Sequence, residues 1–172
     1  MNAQQNDFLR LVVPPAQAAQ RKYDVPASVT IAQAILESSN SSGWGQSQLA
    51  KEANNFFGIK ATDVHDPEQY IELPTHEYLK NHIEMIEAKF ARYEDPAESF
   101  DAHARLLAIA HRYMPAMAVC HDPELFAIKL QQCGYSTNPG YGVLLNRLIN
   151  NYDLAQYDVP PSDPAKAAEV AA

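Results

Sequence analysis

The stretch from Pro26 to Lys60, PASVTIAQAILESSNSSGWGQSQLAKEANNFFGIK, constrains this chain more than any other. Pro26 suits the first turn of a helix, where a missing N–H costs nothing, and Ile31 and Ile35 with the small Ala32 and Ala34 give that helix an apolar face. Such a helix is expected to be largely buried, so the rest of the chain must be built around it. The helix is expected to run out in the polar tract Ser38-Ser39-Asn40-Ser41-Ser42-Gly43, which has poor helix propensity and leaves Glu37 in the last helical turn.

That is the unfavourable end for a carboxylate. The C-terminus of a helix carries partial negative charge, and partial burial beside apolar neighbours disfavours an anion further, so both effects push the pKa of Glu37 upward. A carboxylic acid that keeps its proton near neutral pH is what protonates a glycosidic oxygen. The commoner fate of a Glu is a solvated helix end, and position alone does not separate the two.

The residues around Glu37 add a resemblance. Ala32-Gln33-Ala34, Leu36-Glu37-Ser38, Trp44-Gly45-Gln46-Ser47, and Ala50 followed by Asn54-Asn55-Phe56-Phe57-Gly58-Ile59-Lys60 resemble the bacterial glucosaminidase family of peptidoglycan hydrolases, of the flagellar cell-wall hydrolase and glycoside hydrolase family 73 type. Tyr23-Asp24-Val25-Pro26 is similar to the family's approach to this helix, and Thr75-His76-Glu77-Tyr78 to its Thr-x-Glu-Tyr motif. Gly134-Tyr135-Ser136-Thr137-Asn138-Pro139-Gly140-Tyr141 resembles the family's Tyr-Ala-Thr-Asp-x-x-Tyr, with Ser for Ala and Asn for Asp. One departure is that Ser39 to Ser42 lengthen the connection between Glu37 and Trp44, which puts the shape of a sugar site there in question.

The resemblance implies an endo-β-N-acetylglucosaminidase acting on peptidoglycan glycan strands, with no cofactor and no metal. Glu37 would be the catalytic acid and Glu77 a second catalytic carboxylate. Trp44, Asn55, Phe57, Tyr135 and Tyr141 would bind substrate. An N-acetylmuramidase or lytic transglycosylase on the same fold, or an inactive peptidoglycan-binding module, are the alternatives. The implied architecture is α+β and mainly α: a lysozyme-like helical domain with a small antiparallel β-hairpin lobe beside the cleft.

The remaining sequence agrees with one domain. At 172 residues and 47% hydrophobic, the chain can bury one core. Residues 5 to 12 read as a short first helix capped by Asn6-Asp7, broken by Pro14-Pro15 and followed by a second helix over 15 to 23. Ser47 reads as the cap of a helix over 48 to 53, and Asp95-Pro96 as the start of one carrying Leu106, Leu107 and Ile109. In between, 56 to 60 reads as a short strand, and 70 to 79 with 84 to 93 as a hairpin whose Ile86, Ala88 and Phe90 share one face. Asp122-Pro123 opens another helix ended by Gly134, and the last covers 141 to 153. The catalytic domain is expected over 1–157, and the Pro- and Ala-rich 158–172 as a flexible tail.

A net charge of −8 and a pI near 5.1, without a cluster of Lys and Arg, argue against nucleic acid as a partner. The same charge gives no steering toward an anionic wall, so a targeting, export or inhibitor protein is the expected kind of partner. No run approaches the roughly 20 apolar residues of a membrane span. The first residues lack a basic region ahead of an apolar one and carry Pro14-Pro15, so they do not read as a signal peptide. Action in the periplasm or extracellular wall would then need another export route or a leader outside this chain. The six His form no paired-ligand pattern, and His103 is expected to be a structural hydrogen-bonding residue. Cys120 and Cys133 are either a disulfide across a helical hairpin or two inert thiols.

Overall fold

Helix α2 (Ala27–Ser38) is buried on ten of its twelve residues, from Ala27 through Ile35 and again at Ser38. Its small side chains let α1 (Ala3–Tyr23), α6 (Pro123–Gln132), α7 (Tyr141–Asn151) and the 3-10 turn Leu154–Tyr157 pack around it. A helix hydrophobic nearly all round is stable only in such a position. The structure, a computed structural model, describes residues 1–61, 66–79 and 82–160. It is a mainly helical domain with one two-stranded antiparallel sheet.

Two buried hydroxyls of α2 bond back to the helix's own turns. Thr30 Oγ1 donates to the carbonyl of Pro26 (3.1 Å) and Ser38 Oγ to that of Ala34 (2.5 Å). Pro26 occupies the cap position, one residue earlier than the first helical turn, and supplies no cap of its own. Distant residues cap the helix instead. Gln20 Oε1 accepts from the Ala27 N–H (3.1 Å), and Asp158 takes the Ser28 N–H on Oδ1 (2.8 Å) and the Ser28 hydroxyl on Oδ2 (2.7 Å).

Helix α1 corrects the expected break at Pro14-Pro15, for it runs unbroken through both prolines. Each proline removes one N–H, but the carbonyls that lose a partner belong to Arg10 and Leu11, which face solvent and can bond to water. Phe8, Leu9, Val12, Ala16 and Ala19 form a continuous buried stripe on the other side, which holds the two halves as one helix. Its cap is Asn2, in a reciprocal capping box with Gln5, and not Asn6-Asp7.

Strands β1 (Tyr70–Leu79) and β2 (His82–Ala91) pair from Tyr70 with Ala91 to Leu79 with His82. Ala88 and Phe90 are buried and Ile86 half-buried, while Glu84 and Glu87 are exposed. The expected strand over 56 to 60 reduces to a bridge between Lys60 and Phe90, flanked by Ala61 N–H to Lys89 O (3.0 Å) and Ala91 N–H to Ile59 O (2.9 Å). Asn55 is the reason. Its Oδ1 accepts from the Ile59 N–H (3.1 Å), curling 55 to 59 into a loop with Gly58 at φ +65°, so only its end can extend along the sheet.

Ser47 caps α3 (Gln48–Ala53), Asp95 caps α4 (Pro96–Ile109) and Asp122 caps α6, each through its side chain. The short α5 (Met114–Met117) follows α4. Cys120 and Cys133 are not joined in a disulfide, and both are partly buried against the core.

Asp158 and Val159 lie within the stretch expected to be a tail, yet both are tied down. Val159 exchanges two hydrogen bonds with the side chain of Gln20 (3.0 and 3.1 Å), beside the clasp of Asp158 on Ser28. Residues 161–172, the remainder of that expected tail, lie outside the described residues. Replacing Asp158 by Ala removes a helix cap and two hydrogen bonds, and should cost about 1–2 kcal/mol of stability in urea unfolding.

Candidate active site

Glu37 sits in the last turn of α2, on the wall of a cleft of about 480 Å³. Phe57, Gly58, Ile59 and Lys60 line one side, and Leu106, Arg112, Tyr113, Tyr135 and Ser136 others. The loop after α3, held by Asn55 and stitched to β2, thus forms one wall, and α4 with the segments after α4 and α6 forms the rest. Among the described residues Glu37 is the one carboxylate lining this cleft.

The carboxyl is braced from below. Tyr141 donates its hydroxyl to Glu37 Oε1 (2.7 Å) and accepts from Gln33 Nε2 (3.1 Å), a chain that begins four residues before Glu37 on the same face of α2. Burial pushes the pKa of Glu37 above its ordinary value, and the Tyr141 hydrogen bond holds it back in part. The residue as a whole remains open to solvent, as a cleft residue must, while the protein close to its carboxyl is dense enough for desolvation to dominate. With Oε1 engaged by Tyr141, the acidic proton belongs on Oε2.

A second layer holds the tyrosines. The Tyr135 and Tyr141 rings stack at 5.4 Å, Tyr135 Oη meets His103 Nε2 at 3.1 Å, and His103 stacks on Phe57 at 3.9 Å. His103 is fully buried, and desolvation lowers its pKa to about 3, so it is neutral at physiological pH. Burial likewise pushes both tyrosine hydroxyls well up, keeping them as donors.

The candidate residues therefore divide. Phe57 and Tyr135 line the cleft with Glu37. Tyr141 is 3% exposed and lies behind the acid, hydrogen-bonded to Glu37 and outside the cleft lining. Trp44 is corrected from a sugar platform to a core residue. It is packed edge-on against Phe8 (5.9 Å) and Tyr152 (4.6 Å), away from the cleft lining. Gly45 follows at φ +66°, and a Cβ there would come within 2.6 Å of the Phe8 ring, so the Trp-Gly pair is a packing device. Asn55 is also corrected to a scaffold role. It is 1% exposed, with Nδ2 donating to the carbonyls of Ile59 (2.8 Å) and Ala91 (2.9 Å). Glu77 lies in β1 with Glu84 as its register partner, and its side chain lies outside the described residues.

Gln33, His103 and Arg112 were not among the expected site residues. Gln33 carried a signal, a polar residue in an apolar helix one turn before the acid. Arg112 carried none. The Ser39–Ser42 segment, suspected of displacing Trp44, makes an exposed excursion: Asn40 and Gly43 pair with each other, and the Ser47 N–H returns to the Ser38 carbonyl (2.8 Å). Among the described residues no group of three or more His, Cys, Asp and Glu is placed to hold a metal ion.

A carboxyl whose pKa is raised by burial, with one oxygen braced and the residue lining a cleft, has the arrangement that general acid catalysis by a glycoside hydrolase requires. The sequence profile described as mannosyl-glycoprotein endo-beta-N-acetylglucosaminidase matches residues 13–154, and the chain belongs to this glucosaminidase family. It is 37% identical over 165 residues to the exo-glucosaminidase LytG of Bacillus subtilis, covering 92% of this chain and 56% of LytG. It is 33% identical to the peptidoglycan hydrolase FlgJ of Salmonella typhimurium, covering 87% of this chain and 46% of FlgJ. The chain thus spans about half the length of these relatives. Among solved structures, the catalytic domain of the autolysin Auto from Listeria monocytogenes superposes with a TM-score of 0.78 at 31% identity, over 92% of this chain and 89% of that one.

Two outcomes follow from the geometry. Replacing Tyr141 by Phe removes the hydrogen bond that holds the Glu37 pKa down, so the alkaline limb of the kcat/KM profile should move to higher pH while kcat falls about tenfold. Glu37→Gln should stabilise the fold. Because the folded pKa is raised, protonated Glu37 contributes stability fully below its ordinary value of 4.5, and that contribution is lost as pH rises through the folded pKa. Wild type and variant should therefore melt together at acidic pH and separate, with the variant higher, toward neutrality.

Proposed function

We propose that this protein cuts the glycan strands of bacterial peptidoglycan as an endo-β-N-acetylglucosaminidase, leaving reducing N-acetylglucosamine ends. The observation that carries the reading is the raised, Tyr141-braced carboxyl of Glu37 at the cleft. Glu37 Oε2–H protonates the glycosidic oxygen as the bond to the anomeric carbon breaks. Glu77, on the hairpin beside the cleft-forming 59–61 segment, stabilises the developing positive charge or directs the attacking water. Phe57 and Tyr135 offer aromatic surface and a hydroxyl to the sugar rings, and Tyr141 acts through Glu37.

The relatives LytG, an exo-glucosaminidase, and FlgJ, a peptidoglycan hydrolase, support a glucosaminidase acting on peptidoglycan, and the exo-activity of LytG makes end-wise release the second reading. The site of action is the periplasm or outer wall. No described helix is long and apolar enough to cross a membrane.

Incubation with purified peptidoglycan, followed by mass spectrometry of the fragments, tests this. Wild type should release oligosaccharides with reducing N-acetylglucosamine ends, and Glu37→Gln should lower the rate by about 10²–10⁴-fold. Monosaccharide release points to the end-wise reading. Reducing muramic or anhydro-muramic ends point to a muramidase or lytic transglycosylase, and no release at all to a binding module.

A further inference from the structure

The 3-10 turn His111–Tyr113 places Arg112 on the cleft wall, opposite in charge to nearly everything expected of an acidic chain. Its guanidinium carbon lies 4.5 Å from the centroid of the Tyr113 ring, and Nη2 donates to the Tyr113 hydroxyl. Tyr113 is itself 1% exposed and leans on Tyr135 at 6.1 Å, so the platform under the guanidinium is rigid. A planar group stacked on a fixed ring loses little further freedom when its remaining N–H groups meet a ligand.

Among the described residues, no carboxylate forms an ion pair with those N–H groups. The two ion pairs among the described residues join Arg10 to Asp7 and Lys22 to Asp101, and neither involves Arg112. Among the described residues Glu37 is the one carboxylate lining the same cleft, and its titration is governed by burial and Tyr141, with no cation contributing. Arg112 is therefore held in the catalytic cleft, open to solvent, with no ion pair among the described residues. Lys60 lines the same cleft, and Ser136, a departure from the Ala of the family pattern, adds a hydroxyl. In a chain of net charge −8, this cleft is a local exception.

We propose that Arg112 is a specificity-determining residue that binds a carboxylate of the substrate through the free edge of its guanidinium. This rests on the reading of the substrate as peptidoglycan. In that polymer the N-acetylglucosamine units are neutral, and the carboxylates belong to the lactyl group of muramic acid where the stem peptide has been removed, or to the stem peptide where it remains. The contact gives the enzyme a preference for muramyl glycan over a neutral glycan of the same shape. It also fixes which sugar lies beside Arg112, and so which bond faces Glu37.

Four glycans test it: denuded strands with free lactyl carboxylates, stem-bearing strands, and each of these with its carboxylates converted to amides. Wild type should show kcat/KM about tenfold or more higher on a charged glycan than on its amidated counterpart, carried mainly by KM. Arg112→Gln should level that ratio to near one, and Arg112→Lys should restore part of it. A ratio present only for denuded strands assigns the lactyl carboxylate, and one present only for stem-bearing strands assigns the peptide. A wild type that does not discriminate within either pair overturns the proposal, as does an Arg112→Gln variant that keeps the ratio or loses activity equally on all four. A wild type active on peptidoglycan leaves the function standing in each of those cases. One that hydrolyses none of the four removes the function and this assignment together.

Discussion

The structure depends on taking a carboxyl partly out of water at the end of a buried helix without abandoning it. Burial alone raises the pKa of Glu37, and burial without a partner would also leave the side chain free to turn away. Tyr141 solves both problems from one position, because a single O–H fixes Oε1 in space and limits the shift. Gln33 in turn fixes the Tyr141 oxygen. The acid, its brace and the support of that brace thus come from two helices, α2 and α7, whose packing is the centre of the core.

The cleft surface is coupled to that core through rings. Phe57, His103, Tyr135 and Tyr141 form a run of stacked and hydrogen-bonded groups from the loop after α3 to the start of α7. A neutral, buried His103 suits this place, since its ring can stack on Phe57 while one nitrogen meets a phenol. Its Nδ1 has no partner among the described residues, nor has Oε1 of Gln33 behind Tyr141, so the network leaves two buried polar atoms unanswered. Asn55 does for the loop what Tyr141 does for the acid, spending a buried amide on four backbone contacts so that Phe57 to Lys60 stand as a wall.

Much of this was legible in the sequence because it depends on local rules. The apolar run from Ala27 to Ile35 could only be a buried helix, the polar tract after Glu37 ended it, and Ser47, Asp95 and Asp122 announced their helices. What escaped depends on packing between distant segments. Pro14 and Pro15 signal a break by any local rule, and only the buried stripe of α1 overrides it. Trp44 sits in a motif beside the acid, yet Phe8 and Tyr152, far away in sequence, claim its ring. The cap of α2 comes from Gln20 and Asp158, and no window around Pro26 contains the second. Arg112 has no pattern at all, since only the folded chain brings it onto the cleft wall beside Tyr113.

The excursion between Ser38 and Ser47 bears on how such a chain can vary. One backbone hydrogen bond clamps its two ends, and Asn40, Ser41 and Ser42 between them face solvent. The acid lies before the clamp and the Trp44 ring is seated in the core, so neither takes its position from the exposed tip. Length and polarity at this tip are therefore uncoupled from the chemistry a few ångströms away: the chain carries, immediately beside its most constrained residue, a place where change has no mechanical consequence.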